Sequence, residues 1–388
     1  MIDLVEYQTS TVELDHDEAA ELSELARGTG TGDRPRVMER LSPAPGGSYR
    51  VQPGPYVGRF QLRSGRVVNV TGRFPFQDLA ALLGLGARAT MLYDSAASAG
   101  GGYGLMDLIG LAFAREAELI AGQGLIKAYE RREFTRPPYP GRPAAALHVR
   151  AHAGRPDRLA TTANRLTSDV PLNRQVAAAL RRLCGLRYTD DRLTVRLRAL
   201  LPVFQTIGDG TDPPPPVAGV PARYREIDRL ARLVLDGRTT LPTGAGVAGV
   251  SVLFNMTKIW ERHVGRWLAG GHPSDAVSGQ HRIALTDSGP DRPVYADFVL
   301  LRRGLPVAVF DAKYRPWRGK PATGEIYQLY TYARRLGVKR AGLVYPGASA
   351  RSVNVAIGEV TIESHVVPVV ADGVSGGAGH PAGRGPTG

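Results

Sequence analysis

Along residues 56–72, YVGRFQLRSGRVVNVTG, apolar and polar residues alternate on both sides of Arg-Ser-Gly-Arg. A period of two around a Gly-containing turn predicts a β-hairpin, with Arg59, Arg63 and Arg66 near its polar face. The stretch FQDLAALLGLG (76–86) predicts a helix, followed by the glycine run AGGGYG (99–104). From Leu105 to about Glu133 the apolar positions recur every three or four residues, which predicts one long amphipathic helix, or two interrupted at Gly122 and Gly124. Further helices are expected at 173–184 and 222–235. Between those two lies GDGTDPPPPVAG, which can continue neither helix nor strand.

Beyond that break, VLFNMTKIWERHVGRWL (252–268) places Leu253, Met256, Trp260, Val264 and Trp267 on one helical face. PVYADFVLLRRGLPVAVFDAKYR (293–315) predicts two strands with a tight turn at 302–304. A helix (GEIYQLYTYARRLG) and a third strand (RAGLVYPG) follow. The expected class is α/β in the mixed, α+β sense. A first domain spans residues 1–210, a Pro-rich linker 211–221 and a second domain 222–372, with a Gly-rich, disordered tail at 373–388.

Charge narrows the partners. The formal net charge is +13, yet residues 1–26 hold eight acidic residues and no Lys or Arg, so the rest of the chain is more basic than the total suggests. An excess of that kind suits a polyanion such as nucleic acid, because neutralising phosphates releases counterions. The acidic segment reads most simply as a solvated stretch, with a docking surface as the alternative. The single cysteine, Cys184, and the acidic N-terminus suggest a reducing, cytoplasmic setting. No run of about 18 apolar residues points to a membrane span.

Candidate chemistry gathers in VFDAKYR (309–315). Only five of the 49 basic residues are lysines, namely Lys127, Lys258, Lys313, Lys320 and Lys339, so a lysine two places after Asp311 is a choice against composition. Residues two apart on a strand share a face, so Asp311 and Lys313 project together, and Asp297 on the partner strand can bring a second carboxylate close. Two carboxylates and an ammonium suit Mg²⁺, which takes few protein ligands and keeps waters and phosphate oxygens in its other positions. Lysine, unlike arginine, can take part in proton transfer. Gln328 and Tyr332 are four apart on the following helix and share a face. Glu261, on the preceding helix, is a further candidate metal ligand or else a solvated glutamate beside an apolar face.

An Asp, about a dozen residues and then Asp-x-Lys across a hairpin resembles the PD-(D/E)xK phosphodiesterases, and the Gln328/Tyr332 pair is similar to that of RecB-like nucleases. The stretches LFNMTKIWERHV, YADFVLLRRGLPVAVFDAKYR, EIYQLYTYA, YVGRFQLRSGRVVNV and DVPLNRQVAAALRRL together resemble the McrC family, the nuclease subunit of McrBC modification-dependent (type IV) restriction systems. Ala296 stands where the motif usually has proline. The resemblance implies a motor-binding N-terminal domain and a restriction-endonuclease-like C-terminal domain that cuts double-stranded DNA carrying modified cytosine. It also implies an McrB-like AAA+ GTPase hexamer as partner, stimulated by the N-terminal half, for which Arg59, Arg63 and Arg66 are the candidate contacts. The residues leave two alternatives open: a non-catalytic activator of the motor, and a stand-alone RecB-like repair nuclease.

Other signals are weaker. AGGGYG lacks the Gly-Lys-Ser/Thr of a phosphate loop, and RGKPA has proline where the helix should begin, so no nucleotide is expected on this chain. His148 and His152 would share a strand face, but no Cys or carboxylate in register supports zinc. Cys184, within an apolar helix, reads as core.

Overall fold

The computed structural model describes residues 1–27, 36–74, 82–83, 104–155, 157–205, 207–208, 219–237, 251–287 and 293–368. The glycine run at 99–103, the prolines at 213–216, the tail from 373 and all but residues 82–83 of the helix expected at 76–86 lie outside them. Two compact units are formed, one from Met1–Ser95, Thr239–Gly249 and Leu253–Gly388, the other from Ala96–Arg238 and Val250–Val252. Among the described residues no helix is long and apolar enough to cross a membrane.

The first unit opens with strands β1 (Ile2–Val5) and β2 (Ser10–Glu13) and helix α1 (His16–Ala26). Strands β3 (Met38–Pro43), β4 (Ser48–Pro53), β5 (Tyr56–Gln61) and β6 (Val67–Thr71) follow. The alternating 56–72 segment is the antiparallel hairpin β5–β6, whose turn is closed by the Leu62 N–H donating to the Arg66 carbonyl at 2.9 Å. Gly65 there has φ +84°, a conformation that side chains rarely adopt. Strand β1 pairs with β6 in parallel, and Ile2, Leu4, Phe60, Val68 and Val70 join Leu22 and Leu25 of α1 in one core.

The acidic N-terminal segment is solvated only in part: Asp3, Glu13, Asp15, Asp17 and Glu24 are exposed, but Glu6, Glu18 and Glu21 are buried, and the last two meet the basic hairpin. Ser64 Oγ donates to Glu18 Oε1 (2.7 Å), Arg66 pairs with Glu18 Oε2 (2.9 Å), and the Arg63 N–H donates to Glu21 Oε2 (3.0 Å). Arg59 is only 2% exposed, and Glu6 is fully buried. Only Arg63 offers the solvent a side chain half exposed, 4.0 Å from Glu24.

In the second unit, α2 (Leu105–Gln123) starts with the Gly104 N–H donating to Asp107 Oδ2 (2.9 Å) and ends at Gly124, whose φ is +81°. Helix was expected to reach about residue 133, but Ala128–Phe134 is strand β7, which joins β8 (Arg142–Pro143) and β9 (Thr161–Thr167) in a three-stranded sheet. Gly124 breaks the helix, and AYERREF has no apolar stripe for a helix to bury. His148 and His152 lie on helix α3 (Ala145–His152), not on a strand, and His152 Nε2 sits 2.9 Å from the Thr135 carbonyl. Helices α4 (Pro171–Cys184), α5 (Asp191–Leu200) and α6 (Arg225–Asp236) complete the unit, with Cys184 buried as expected. The expected domain boundary at 211–221 is not where the packing divides. Gln175 on α4 donates to Asp228 on α6 (2.7 Å), and the Tyr224 hydroxyl donates to Asn173 (2.8 Å), so helices on both sides of the Pro-rich break share one core.

The chain then returns to the first unit. Strand β10 (Val252–Asn255) extends the sheet to the order β1-β6-β5-β10, and Asn255 caps α7 (Met256–Gly271) by accepting from the Lys258 N–H at 3.1 Å. Leu253 was expected on the helical face but belongs to the strand, and Leu268 rather than Trp267 completes the buried stripe. A six-stranded sheet follows in the order β11-β12-β13-β14-β16-β15. Its strands are β11 (Ala276–Ala284), β12 (Pro293–Arg302), β13 (Leu305–Ala312), β14 (Arg340–Pro346), β15 (Arg351–Ile357) and β16 (Val360–Val367). The expected turn joins β12 to β13 through Arg303 and Gly304, both at positive φ (52° and 83°), the pairing a two-residue hairpin of matching twist requires. Helix α8 (Thr323–Leu336) crosses over to make β13 and β14 parallel neighbours, and its Leu329, Tyr332 and Ala333 pack on Val299, Val309 and Leu343 of the sheet.

Candidate active site

The register of the hairpin brings the carboxylates together. Phe298 pairs with Phe310, so one step further along each strand Asp297 and Asp311 fall on the opposite face, the side that α8 covers. Asp311 is 3% exposed, and Lys313 Nζ lies 2.6 Å from its Oδ2. Gln328 on α8 ties the pair together: its Oε1 accepts from Lys313 Nζ (3.3 Å) while its Nε2 donates to Asp311 Oδ1 (3.3 Å). The same Nε2 is 3.0 Å from the Tyr332 hydroxyl, so the two α8 residues that share a face are in contact beside this pair.

Asp297 is held by the backbone. The Ala312 N–H, between Asp311 and Lys313, donates to Asp297 Oδ2 at 2.9 Å, and Gln280 Nε2 reaches Asp297 Oδ1 at 3.4 Å. Burial first, and then the neighbouring Asp311 charge, push the Asp297 carboxyl up to about 6, against the opposing pull of the Ala312 N–H, Lys313 and Gln280.

Helix α7 enters the same field. Trp260 Nε1 donates to the Val344 carbonyl at 3.2 Å, and the Lys313 N–H donates to that same carbonyl at 2.9 Å. One oxygen on β14 therefore fixes both the helix that carries Glu261 and the strand end that carries the lysine. Glu261 is not a freely solvated glutamate: burial and then the Asp297 charge raise its carboxyl to about 7, with Lys258 opposing and Asp311 adding a smaller push.

Glu261, Asp297 and Asp311 offer only hard carboxylate oxygens, and burial together with neighbouring carboxylate charge pushes the Glu261 and Asp297 carboxyls up, a surplus of negative charge that a divalent cation would relieve. Among the described residues no three His, Cys, Asp or Glu side chains are gathered so that they could hold a metal ion. Mg²⁺ commonly takes one or two protein carboxylates and keeps its waters, and Asp297 and Asp311 are donors of that kind.

The lysine strand end has a further anchor. Arg315 donates to both oxygens of Glu325 on α8 (3.1 and 2.7 Å), and the Tyr345 hydroxyl donates to Glu325 Oε2 (2.9 Å). Burial alone would raise the Glu325 carboxyl, but its hydrogen bonds from Arg315, the Ala322 N–H and Tyr345 hold it below the ordinary range. Of the hairpin arginines, Arg59 is buried in β5 and Arg66 is engaged with Glu18, and neither joins this cluster. The Gln280 contact, the Ala312 N–H and the Val344 carbonyl were not foreseen. Backbone groups leave no mark in a sequence, and β11, which carries Gln280, has no clear alternation.

Comparison with known proteins agrees in outline. No curated protein sequence shows significant similarity to the chain. In fold it is similar to a chain of a refined half-complex from the tetradecameric assembly of Thermococcus gammatolerans McrB AAA+ hexamers with bound McrC, at TM-score 0.60 and 16% identity over 96% of each chain. A chain of the Thermococcus gammatolerans McrBC complex matches more weakly, at TM-score 0.43 and 16% identity over 70% of this chain and 87% of that one. The family model of the McrBC 5-methylcytosine restriction system component matches residues 51–346, and with most of its length so matched the chain belongs to that family.

Proposed function

We propose that this chain is the DNA-cutting subunit of an McrBC-like, modification-dependent (type IV) restriction system, a Mg²⁺-dependent endonuclease with a PD-(D/E)xK active site. The observation that carries the reading is the tie between Lys313, Asp311 and Gln328 beside Asp297, four side chains from three elements converging on one face. A structural ion pair would not need a second, half-buried carboxylate held next to the first, where burial and the Asp311 charge disfavour its ionised form.

When bound, Mg²⁺ would be held by Asp297 and Asp311, with Glu261 as the further candidate, and would polarise the scissile phosphodiester and acidify a water. The protein's own part is positional. Ala312 N–H and Gln280 fix both oxygens of Asp297, and Gln328 fixes one oxygen of Asp311 and the lysine head. Lys313 Nζ, thus aimed, positions the attacking water or takes up its proton, and its charge offsets the negative charge that builds on the phosphorus.

The partner in this reading is an McrB-like AAA+ GTPase hexamer, which recognises modified cytosine in double-stranded DNA in the cytoplasm and whose GTPase this chain stimulates. The family match and the likeness to a chain from an assembly of McrB hexamers with bound McrC support that pairing. The test is reconstitution of the full chain with an McrB-like GTPase. Co-purification together with a raised GTP hydrolysis rate is expected. A chain that cuts DNA equally well without any partner would favour a stand-alone nuclease instead.

A further inference from the structure

Gln280 occupies an unusual backbone position for the middle of a strand. Its φ is +47°, one of three positive values at non-glycine residues among those described, and it is flanked within β11 by the regular antiparallel pairs Gly279–Phe298 and His281–Ala296. A glutamine gains nothing from the left-handed region, which L-residues with a long side chain visit at a steric cost. The kink is held locally: Ser278 Oγ and His281 Nδ1 lie 3.0 Å apart, spanning the distorted residue from both sides. The exposed side chain packs into no core, and the contact it does make is Nε2 to Asp297 Oδ1 at 3.4 Å. Strain kept at one residue, braced by its neighbours and ending in a contact with a carboxylate of the candidate site, is the pattern found where geometry serves function.

We propose that Gln280 is a positioning residue of the active site: the left-handed turn in β11 aims its carboxamide at Asp297 Oδ1, so that this oxygen presents a fixed lone pair to the metal. The inference rests on the nuclease reading above. Ala312 N–H already holds Oδ2, and Gln280 on Oδ1 adds a second restraint on the rotation of the carboxylate. Partners of this kind, which touch a ligand and not the metal, commonly govern affinity by 10-fold to 100-fold.

The test separates the carboxamide from the backbone. In Gln280→Gly both the contact and the strain disappear, whereas in Gln280→Ala only the contact does. With Mn²⁺ as the probe, binding followed by electron paramagnetic resonance should weaken about 10-fold in both variants relative to wild type. The concentration of Mg²⁺ giving half-maximal cleavage should rise to match, with the Michaelis constant for DNA unchanged. The thermal midpoint should rise by about 1–2 °C in the glycine variant alone, because relieving a strained φ stabilises the fold. Wild-type Mn²⁺ affinity in Gln280→Gly would overturn the assignment and leave Gln280 a mere kink. Failure of the wild-type chain to bind Mn²⁺, with Asp297→Ala indistinguishable from it, would overturn the nuclease reading itself and this inference with it.

Discussion

The hydroxyl of Tyr314 donates to Glu6 Oε1 at 2.8 Å, joining the residue next to Lys313 to the end of the first strand of the chain across 308 positions. Glu6 is fully buried and also accepts from the Arg73 N–H (3.0 Å), while the Arg73 guanidinium lies over the rings of Tyr7 and Tyr314, 4.4 and 4.8 Å from their centroids. Burial pushes the Glu6 carboxyl above the ordinary range, although Arg73 and Tyr314 pull it down. The N-terminal segment and the strand end that carries Lys313 are therefore one packed structure.

Removing that carboxylate should cost more than a surface acid would. Glu6→Ala leaves the mostly buried Arg73 guanidinium, 3.7 Å away, without its counter-charge, and a loss of roughly 2–4 kcal/mol in urea unfolding is expected. Glu6→Gln, which keeps an acceptor for Tyr314, should lose less. Equal stability of the alanine variant and wild type would show that the cluster does not tie the segments together.

The arginines of the first hairpin should divide by burial. Arg59→Ala empties a large buried position in β5 and should lower stability by about 2–4 kcal/mol, whereas Arg63→Ala, half exposed, should stay within about 0.5 kcal/mol of wild type. Urea denaturation of the two single variants decides this. A partner contact by this hairpin is then best tested through Arg63 alone, since the loss of Arg59 would act through folding.

Acid should loosen the six-stranded sheet at Glu363. Burial would raise this carboxyl, but hydrogen bonds from His365 (2.9 Å) and Arg340 (2.9 and 3.1 Å) outweigh it and hold the group at about 2. A carboxyl depressed in the folded state stabilises the fold above its unfolded value near 4.5, and that stability is lost as pH falls from there toward 2. Glu363→Gln should therefore flatten the stability profile over that window by roughly 1–3 kcal/mol. A thermal-unfolding series from pH 6 to pH 2 that superimposes for both proteins would contradict it.

Much of this was legible in the sequence. Alternation around Arg-Ser-Gly-Arg and around Arg303–Gly304 marks both hairpins, and the spacing of Asp297, Asp311, Lys313, Gln328 and Tyr332 marks the cluster, because strand and helix periods fix which side chains share a face. What was hidden depends on partners distant in the chain. Eight acids without a base look solvated throughout, yet Glu6, Glu18 and Glu21 are buried, and Ser64 and Arg66 meet Glu18. Residues 125–133 continue the apolar spacing of α2 only weakly, and Gly124 together with pairing to β9 turns most of them into strand. Four prolines look like a domain border, yet a polar pair between Gln175 and Asp228 and an apolar face on α6 hold the helices on either side together.

The most direct test of the central claim is cleavage of methylated DNA by the full chain with its GTPase partner, Mg²⁺ and GTP, comparing wild type with Asp311→Ala. The account predicts that the variant stimulates GTP hydrolysis normally and loses cleavage by at least about 10²-fold, since Asp311 both offers the metal an oxygen and holds Lys313 at 2.6 Å. Cleavage by Asp311→Ala at the wild-type rate would contradict it.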